Sequence, residues 1–213
     1  MKPKFALKQS IGLFAAAFSF VATSQALASV VYDNTANYLG NFTDLGNGSV
    51  GDQITLGGTD RTLTEFKFEY YMSFAVSGNE TGALKFYSND GSNGKPGTLL
   101  YDSGSFGLTS GFHTVTASGL STPVGDNFTW AVSFSGLSGS EKAGLLHYNA
   151  PTVGSSVDDF WVNTSGTWEL MSTPGLVDNF GAQVTAVPEP TSLALLGSGL
   201  LGLGIAAYRR RQK

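Results

Sequence analysis

Apolar side chains in the middle of this chain recur at every second position, not at every third or fourth. Phe66, Phe68 and Tyr70 alternate with Glu65, Lys67 and Glu69. Phe128, Trp130, Val132 and Phe134 alternate with Thr129, Ala131 and Ser133, and Phe180, Ala182 and Val184 with Gly181, Gln183 and Thr185. A period of two sets large apolar groups on one face of a strand and polar or small groups on the other. Shorter runs predict further strands at 53–56, 83–88, 98–101, 113–117, 144–148, 159–162 and 168–171. Between them lie turn-forming clusters: Gly57-Gly58, residues 89–97, Ser103-Gly104, residues 135–144 and Thr164-Ser165-Gly166. Many short strands at such spacing predict an all-β domain over residues 29–186, an antiparallel β-sandwich of jelly-roll type. With no internal repeat, one domain is the simplest organisation.

The two ends follow another pattern. Lys2, Lys4 and Lys8 precede an apolar run over 11–21, and Ala26-Leu27-Ala28 then supplies small residues at alternate positions. This order predicts a secretory signal peptide over 1–28, cut by signal peptidase between Ala28 and Ser29. At the other end, residues 192–208 are uncharged and rich in Leu, Ala and Gly. At 1.5 Å per residue such a helix reaches roughly 25 Å, which predicts one transmembrane helix. Arg209, Arg210, Arg211 and Lys213 follow directly. Arginine is costly to carry across a bilayer, so this cluster acts as a stop-transfer signal and leaves the domain outside. Both ends predict the same orientation.

The stretch between domain and helix is Val187-Pro188-Glu189-Pro190. Two prolines withhold backbone donors and fix φ, so a helix cannot extend upstream through Val187 and the peptide stays extended. This motif, the apolar helix and the arginine cluster, in that order and spacing over 187–213, resemble the PEP-CTERM sorting signal of Gram-negative bacteria. The resemblance implies recognition of the Pro-Glu-Pro element by an exosortase, an integral-membrane processing enzyme. It also implies an inner-membrane intermediate, then delivery to the cell surface or extracellular matrix together with exopolysaccharide, in biofilm or floc. The domain ahead of the motif looks like the β-sandwiches often carried by such proteins, a group to which no activity is attached.

Charge changes the picture once the ends are set aside. The whole chain has twelve basic and sixteen acidic residues, but residues 29–186 retain five basic and fifteen acidic, a net charge of −10. An acidic body argues against nucleic acid as a partner, since phosphate binding needs cations. Cysteine is lacking, which excludes disulfides, thiolate metal sites and a Cys nucleophile.

Candidate chemistry in the body is sparse. In the 89–97 loop, Asn89, Asp90, Ser92 and Asn93 offer oxygens to Ca²⁺, but Asp90 is the one charged donor and no acidic residue closes the loop. A hairpin loop whose glycines accept positive φ explains it better. Trp161 and Trp168 are candidates for stacking on sugar rings, against the simpler expectation that they pack in the sandwich. Asp158, Asp159 and Glu169 are carboxylates of the type used in glycoside hydrolysis, which depends on a spatial separation that sequence does not reveal. His113 and His147 have no partner at metal-ligand spacing. The expectation is therefore a protein without cofactor or catalysis, structural or adhesive in an exopolysaccharide matrix. A carbohydrate-binding module is the alternative, and a polysaccharide hydrolase a more distant one.

Overall fold

The structure, a computed structural model, describes residues 27–73, 78–172 and 177–189, with Gly197, Leu201, Gly199 and Tyr208 in helical conformation. The expected signal peptide up to Ala26, Pro190 of the sorting motif, most of the apolar run at 192–208 and Arg209 to Arg211 lie outside the described residues.

The chain forms a succession of strands: β1 (Ser29–Asp33), β2 (Tyr38–Asp44), β3 (Gly48–Thr55), β4 (Thr62–Ser73), β5 (Thr81–Tyr87), β6 (Leu99–Asp102), β7 (Phe106–Gly107), β8 (Gly111–Pro123), β9 (Asn127–Ser135), β10 (Lys142–Tyr148), β11 (Ser155–Ser156), β12 (Phe160–Asn163), β13 (Glu169–Met171), β14 (Asn179–Phe180) and β15 (Ala182–Val187). They make two antiparallel sheets. The first runs β1-β15-β4-β10-β14, with β8 beside β4 and β2 beside β10; the second runs β13-β12-β3-β9-β5-β6, with β11 beside β3 and β7 beside β5. Successive long strands change sheet at nearly every step, from β3 through β4, β5, β8, β9 and β10 to β12 and β15. The expected sandwich is what forms.

Alternation explains how the sheets meet. Phe66, Phe68, Tyr70 and Met72 of β4 are all buried, as are Phe128, Trp130, Val132 and Phe134 of β9 and Ala182, Val184 and Ala186 of β15. Trp130 joins the two layers: its ring centroid lies 5.2 Å from that of Phe66 and 6.0 Å from that of Phe68. Phe86 adds a ring 4.9 Å from Phe66, and Phe180 another 6.4 Å from Trp130.

Four strands have no counterpart among the predicted ones: β1, β2, β7 and β11. In β1 the adjacent Val31 and Tyr32 are both buried, because the register with β15 shifts between Val30 and Tyr32. A bulge of this kind breaks the period of two that would reveal a strand. In β2, Gly40 takes a φ of +81°, and no residue of the strand is fully buried. Strand β8 is much longer than the predicted 113–117 because it pairs along nearly the whole of β4, from Met72↔Gly111 to Thr62↔Pro123.

The two layers also enclose a carboxyl group. Asp52 of β3 is fully buried; Ser156 Oγ donates to its Oδ1 at 2.7 Å and the Phe180 amide to its Oδ2 at 3.4 Å. Burial pushes its carboxyl well above the usual carboxylate range, against the pull of those two donors. Unfolded Asp52 releases its proton near pH 4, so over the window above that value the native chain binds more protons than the unfolded one. Stability from this group is present at low pH and is lost as pH rises from about 4 through the raised native value. An Asp52→Asn variant lacks the effect. Its melting temperature relative to the parent should climb across that window in paired thermal melts, and a flat difference would count against a buried, proton-holding Asp52.

Candidate functional site

The sorting motif begins where the sheet ends. Val187 is the last residue of β15 and pairs with Thr62 of β4. Pro188 follows and has no N–H to continue the ladder, so the strand stops there. Glu189, two residues beyond the last ladder pair, is exposed. Ser29, the first residue after the expected signal-peptidase cut, opens β1 and pairs with Ala186. The expected signal-peptidase cut and the start of the sorting motif therefore adjoin neighbouring strands at one edge of the first sheet.

The outer face of the first sheet carries a recess. On β4 the residues facing away from the core are Glu65, Lys67, Glu69 and Tyr71, of which Glu65 and Lys67 pair at 2.9 Å. Strand β8 sets Phe112 opposite Tyr71 and Thr114 opposite Glu69. Strand β10 brings Leu146 and Tyr148, and β2 lays Tyr38 across from Tyr148. Together these residues and His113 line a cavity of about 290 Å³. The Tyr148 ring rests against Gly181, where a Cβ would come within 2.6 Å of it. Its hydroxyl donates to Glu69 Oε2. Burial, followed by this carboxylate, pushes the Tyr148 hydroxyl well above its ordinary range, so it stays a donor. Tyr38 lies 5.5 Å from Tyr148 and 5.9 Å from Phe112, ring centre to ring centre. The row continues from Phe112 to Tyr71 at 4.6 Å and from Tyr71 to Phe42 at 4.9 Å. Tyr38 is 41% exposed and Phe112 61%.

Of the residues singled out in the sequence, His113 lines this recess; the tryptophans, the carboxylates and His147 lie elsewhere. Trp161 is 5% exposed, so neither face of its indole is open to a sugar; the strand carries it on the parity opposite to Phe160 and Val162, yet neighbouring chain covers it. Trp168 is half-buried, with its ring 5.4 Å edge-on from Tyr87 and its carbonyl accepting from Lys95 Nζ. The two tryptophans form no common platform. Asp90 holds its own loop together: Oδ1 accepts from the Thr98 amide and Oδ2 from the Thr98 hydroxyl, both at 2.7 Å. These bonds, the hydroxyl's first, bring its pKa down to about 2. Gly97 leaves the room they need, since a Cβ there would stand 2.0 Å from Asp90 Oδ1. Asn93 is the one non-glycine residue at positive φ among those described, which fits a tight loop. Among the described residues no group of three or more His, Asp or Glu side chains could hold a metal ion.

Asp158 and Asp159 stand just ahead of β12, while Glu169 pairs across from Val162 at the far end of the β12–β13 hairpin and is exposed. The fold gathers Asp158 and Asp159 with Asp178 instead. Asp158 Oδ1 accepts from Asn179 Nδ2 at 2.9 Å, and burial, then Asp158 and Asp178, raise the Asp159 pKa. Asp178 Oδ1 lies 3.6 Å from His147 Nδ1. Burial lowers the His147 pKa despite that carboxylate, and its Nε2 shares a 2.6 Å hydrogen bond with the Thr43 hydroxyl. His113 stacks on Tyr70 and bonds Thr109 and the Ser110 carbonyl.

Sequence reasoning missed the recess, although it left a trace. Tyr71 and Phe112 are large aromatics on the polar parity of β4 and β8, where the pattern calls for polar groups.

Fold and tail together define a class: an antiparallel β-sandwich whose last strand runs into a C-terminal sorting signal. The signal is the PEP-CTERM protein-sorting motif, whose family model matches residues 186–211. The chain is thus an exported, exosortase-targeted protein that transits the membrane to the cell surface. No curated protein and no solved structure matches the chain.

Proposed function

We propose that this exported protein is a non-catalytic, structural or adhesive component of an extracellular polysaccharide matrix. The sorting motif carries the reading. It delivers the domain to the cell surface, and the family it resembles travels with exopolysaccharide. The state of the acidic groups supports the absence of catalysis: Asp52 is held by Ser156, Asp90 by Thr98 and Asp158 by Asn179. A net charge of −10 over residues 29–186 favours a soluble domain outside the cell.

The test is fractionation of a host that makes both exosortase and exopolysaccharide. The protein should co-sediment with the matrix and be released when the polysaccharide is digested or its synthesis deleted. Protein that stays free in the medium whether or not polysaccharide is present would end the matrix reading. The hydrolase reading draws on Asp158, Asp159 and Asp178, where a carboxyl with a raised pKa beside other carboxylates suits a general acid. Turnover of a polysaccharide by the purified protein, lost in Asp159→Asn, would replace the non-catalytic proposal.

A further inference from the structure

The recess on the outer face of the first sheet is used by neither the sorting motif nor the core. The geometry points to this recess as the binding site for one pyranose ring of a non-acidic polysaccharide, packed against the exposed aromatic surface of Tyr38 and Phe112 beside Tyr148 and hydrogen-bonded by Glu69. This deepens the matrix reading and rests on it for the source of the ligand.

Two of its walls are large aromatics left in water, Phe112 at 61% and Tyr38 at 41% exposure, at ring distances of 5.9 Å from each other and 5.5 Å from Tyr38 to Tyr148. Exposed single aromatics need no explanation, but a contiguous row around a concavity marks a binding surface. The volume of about 290 Å³ lies at the low end of small-ligand sites, in keeping with one sugar ring and not a peptide or lipid chain.

The mixture of groups selects the ligand. A pyranose presents apolar C–H faces, which suit the negative face of an aromatic ring, and a rim of hydroxyls, which need acceptors and donors. The recess supplies both: aromatic walls, the Glu69 carboxylate, the Tyr148 hydroxyl and the Thr114 side chain. Protein interfaces deplete such carboxylates from their cores, and lipid tails leave them without a hydrogen-bond partner.

Charge narrows the class further. Glu69 accepts from sugar hydroxyls or from an amino group, whereas uronate or sulfate would meet a carboxylate in the recess and a net −10 over the domain. The site is also formed in advance. Gly181 seats the Tyr148 ring and Glu69 holds its hydroxyl, so these groups lose little freedom on binding. From Phe112 the aromatic row runs on through Tyr71 to Phe42, a track along which neighbouring sugars of the same chain can lie.

The experiment is calorimetric titration of the full chain in a detergent without a sugar head group. The probes are linear tetrasaccharides of β-linked glucose, galactose, glucosamine and galacturonate. At least one of the first three should bind, with galacturonate about tenfold weaker or silent. Phe112→Ala and Tyr38→Ala should each weaken binding by about tenfold with an unchanged melting temperature, since both side chains are exposed. The proposal is overturned by silence from all three non-acidic probes, by galacturonate binding as well as they do, or by binding that survives the Phe112→Ala/Tyr38→Ala double variant. Binding abolished by Trp168→Ala and kept in that double variant would move the site to the opposite sheet. Matrix retention is read separately by fractionation: a double variant that no longer binds sugar but is still held in the matrix separates the two readings.

Discussion

Replacing Trp130 with alanine should lower the unfolding free energy by about 3–5 kcal/mol, read as a fall in the urea midpoint at unchanged m-value. Trp130 is fully buried on β9 and its ring meets Phe66 and Phe68 from the facing sheet. Truncation leaves a cavity between the layers that strands held in register on both sides cannot collapse to fill. Domains of this size have about 5–15 kcal/mol in total, so the variant should be close to unfolding at elevated temperature. Trp130→Phe should cost distinctly less. Its phenyl ring keeps most of the contact, and it removes an indole Nε1–H that is buried without a hydrogen-bond partner. A loss below about 1 kcal/mol for alanine would mean that the sheets do not meet on this ring.

The second large effect is on location. Replacing Pro188, Glu189 and Pro190 together by alanine should leave the chain uncut and membrane-bound, with almost none outside the cell. Val187, the first residue of the motif, closes the ladder, Pro188 stops β15, and Glu189 stands exposed next to the folded domain. Pro188 and Glu189 are not part of the core and Pro190 lies outside the described residues; the domain's melting temperature should not change. Mass spectrometry of the parent's extracellular form should show a start at Ser29 and an end within or beside residues 187–190. Extracellular parent protein that still contains Arg211, or normal release of the alanine variant, would contradict exosortase processing at this motif.

Ser29 pairs with Ala186, and strand β15 lies between β1 and β4. The first and last strands of the domain are therefore neighbours in one sheet, beside the start of the motif.

Much of this was legible along the chain. The period of two in β4, β9 and β15 identified the faces that become the core, because each strand sets large apolar groups on one side and polar or small groups on the other, although in β9 that other side is itself covered at Thr129 and Ala131. The tail was readable for a different reason. Sorting depends on local chemistry, and prolines, an apolar run and arginines act without tertiary context. Strands β1 and β2 escaped because a bulge in one and the lack of a buried face in the other erase the alternation.

The candidate site belongs to the other category. Tyr38, Glu69, Phe112 and Tyr148 come from four strands and reach one recess only because β2, β10, β4 and β8 pair side by side. The same holds for the carboxylates, where Asp178 replaced Glu169 as the neighbour of Asp158 and Asp159. Trp161 read as a possible sugar platform until its surroundings covered it. Local pattern alone determined that this protein is an exported all-β domain with a C-terminal sorting motif, since strand faces and sorting signals are written in neighbouring residues. Which side chains share a surface was decided by long-range strand pairing, because register brings together residues far apart in the chain.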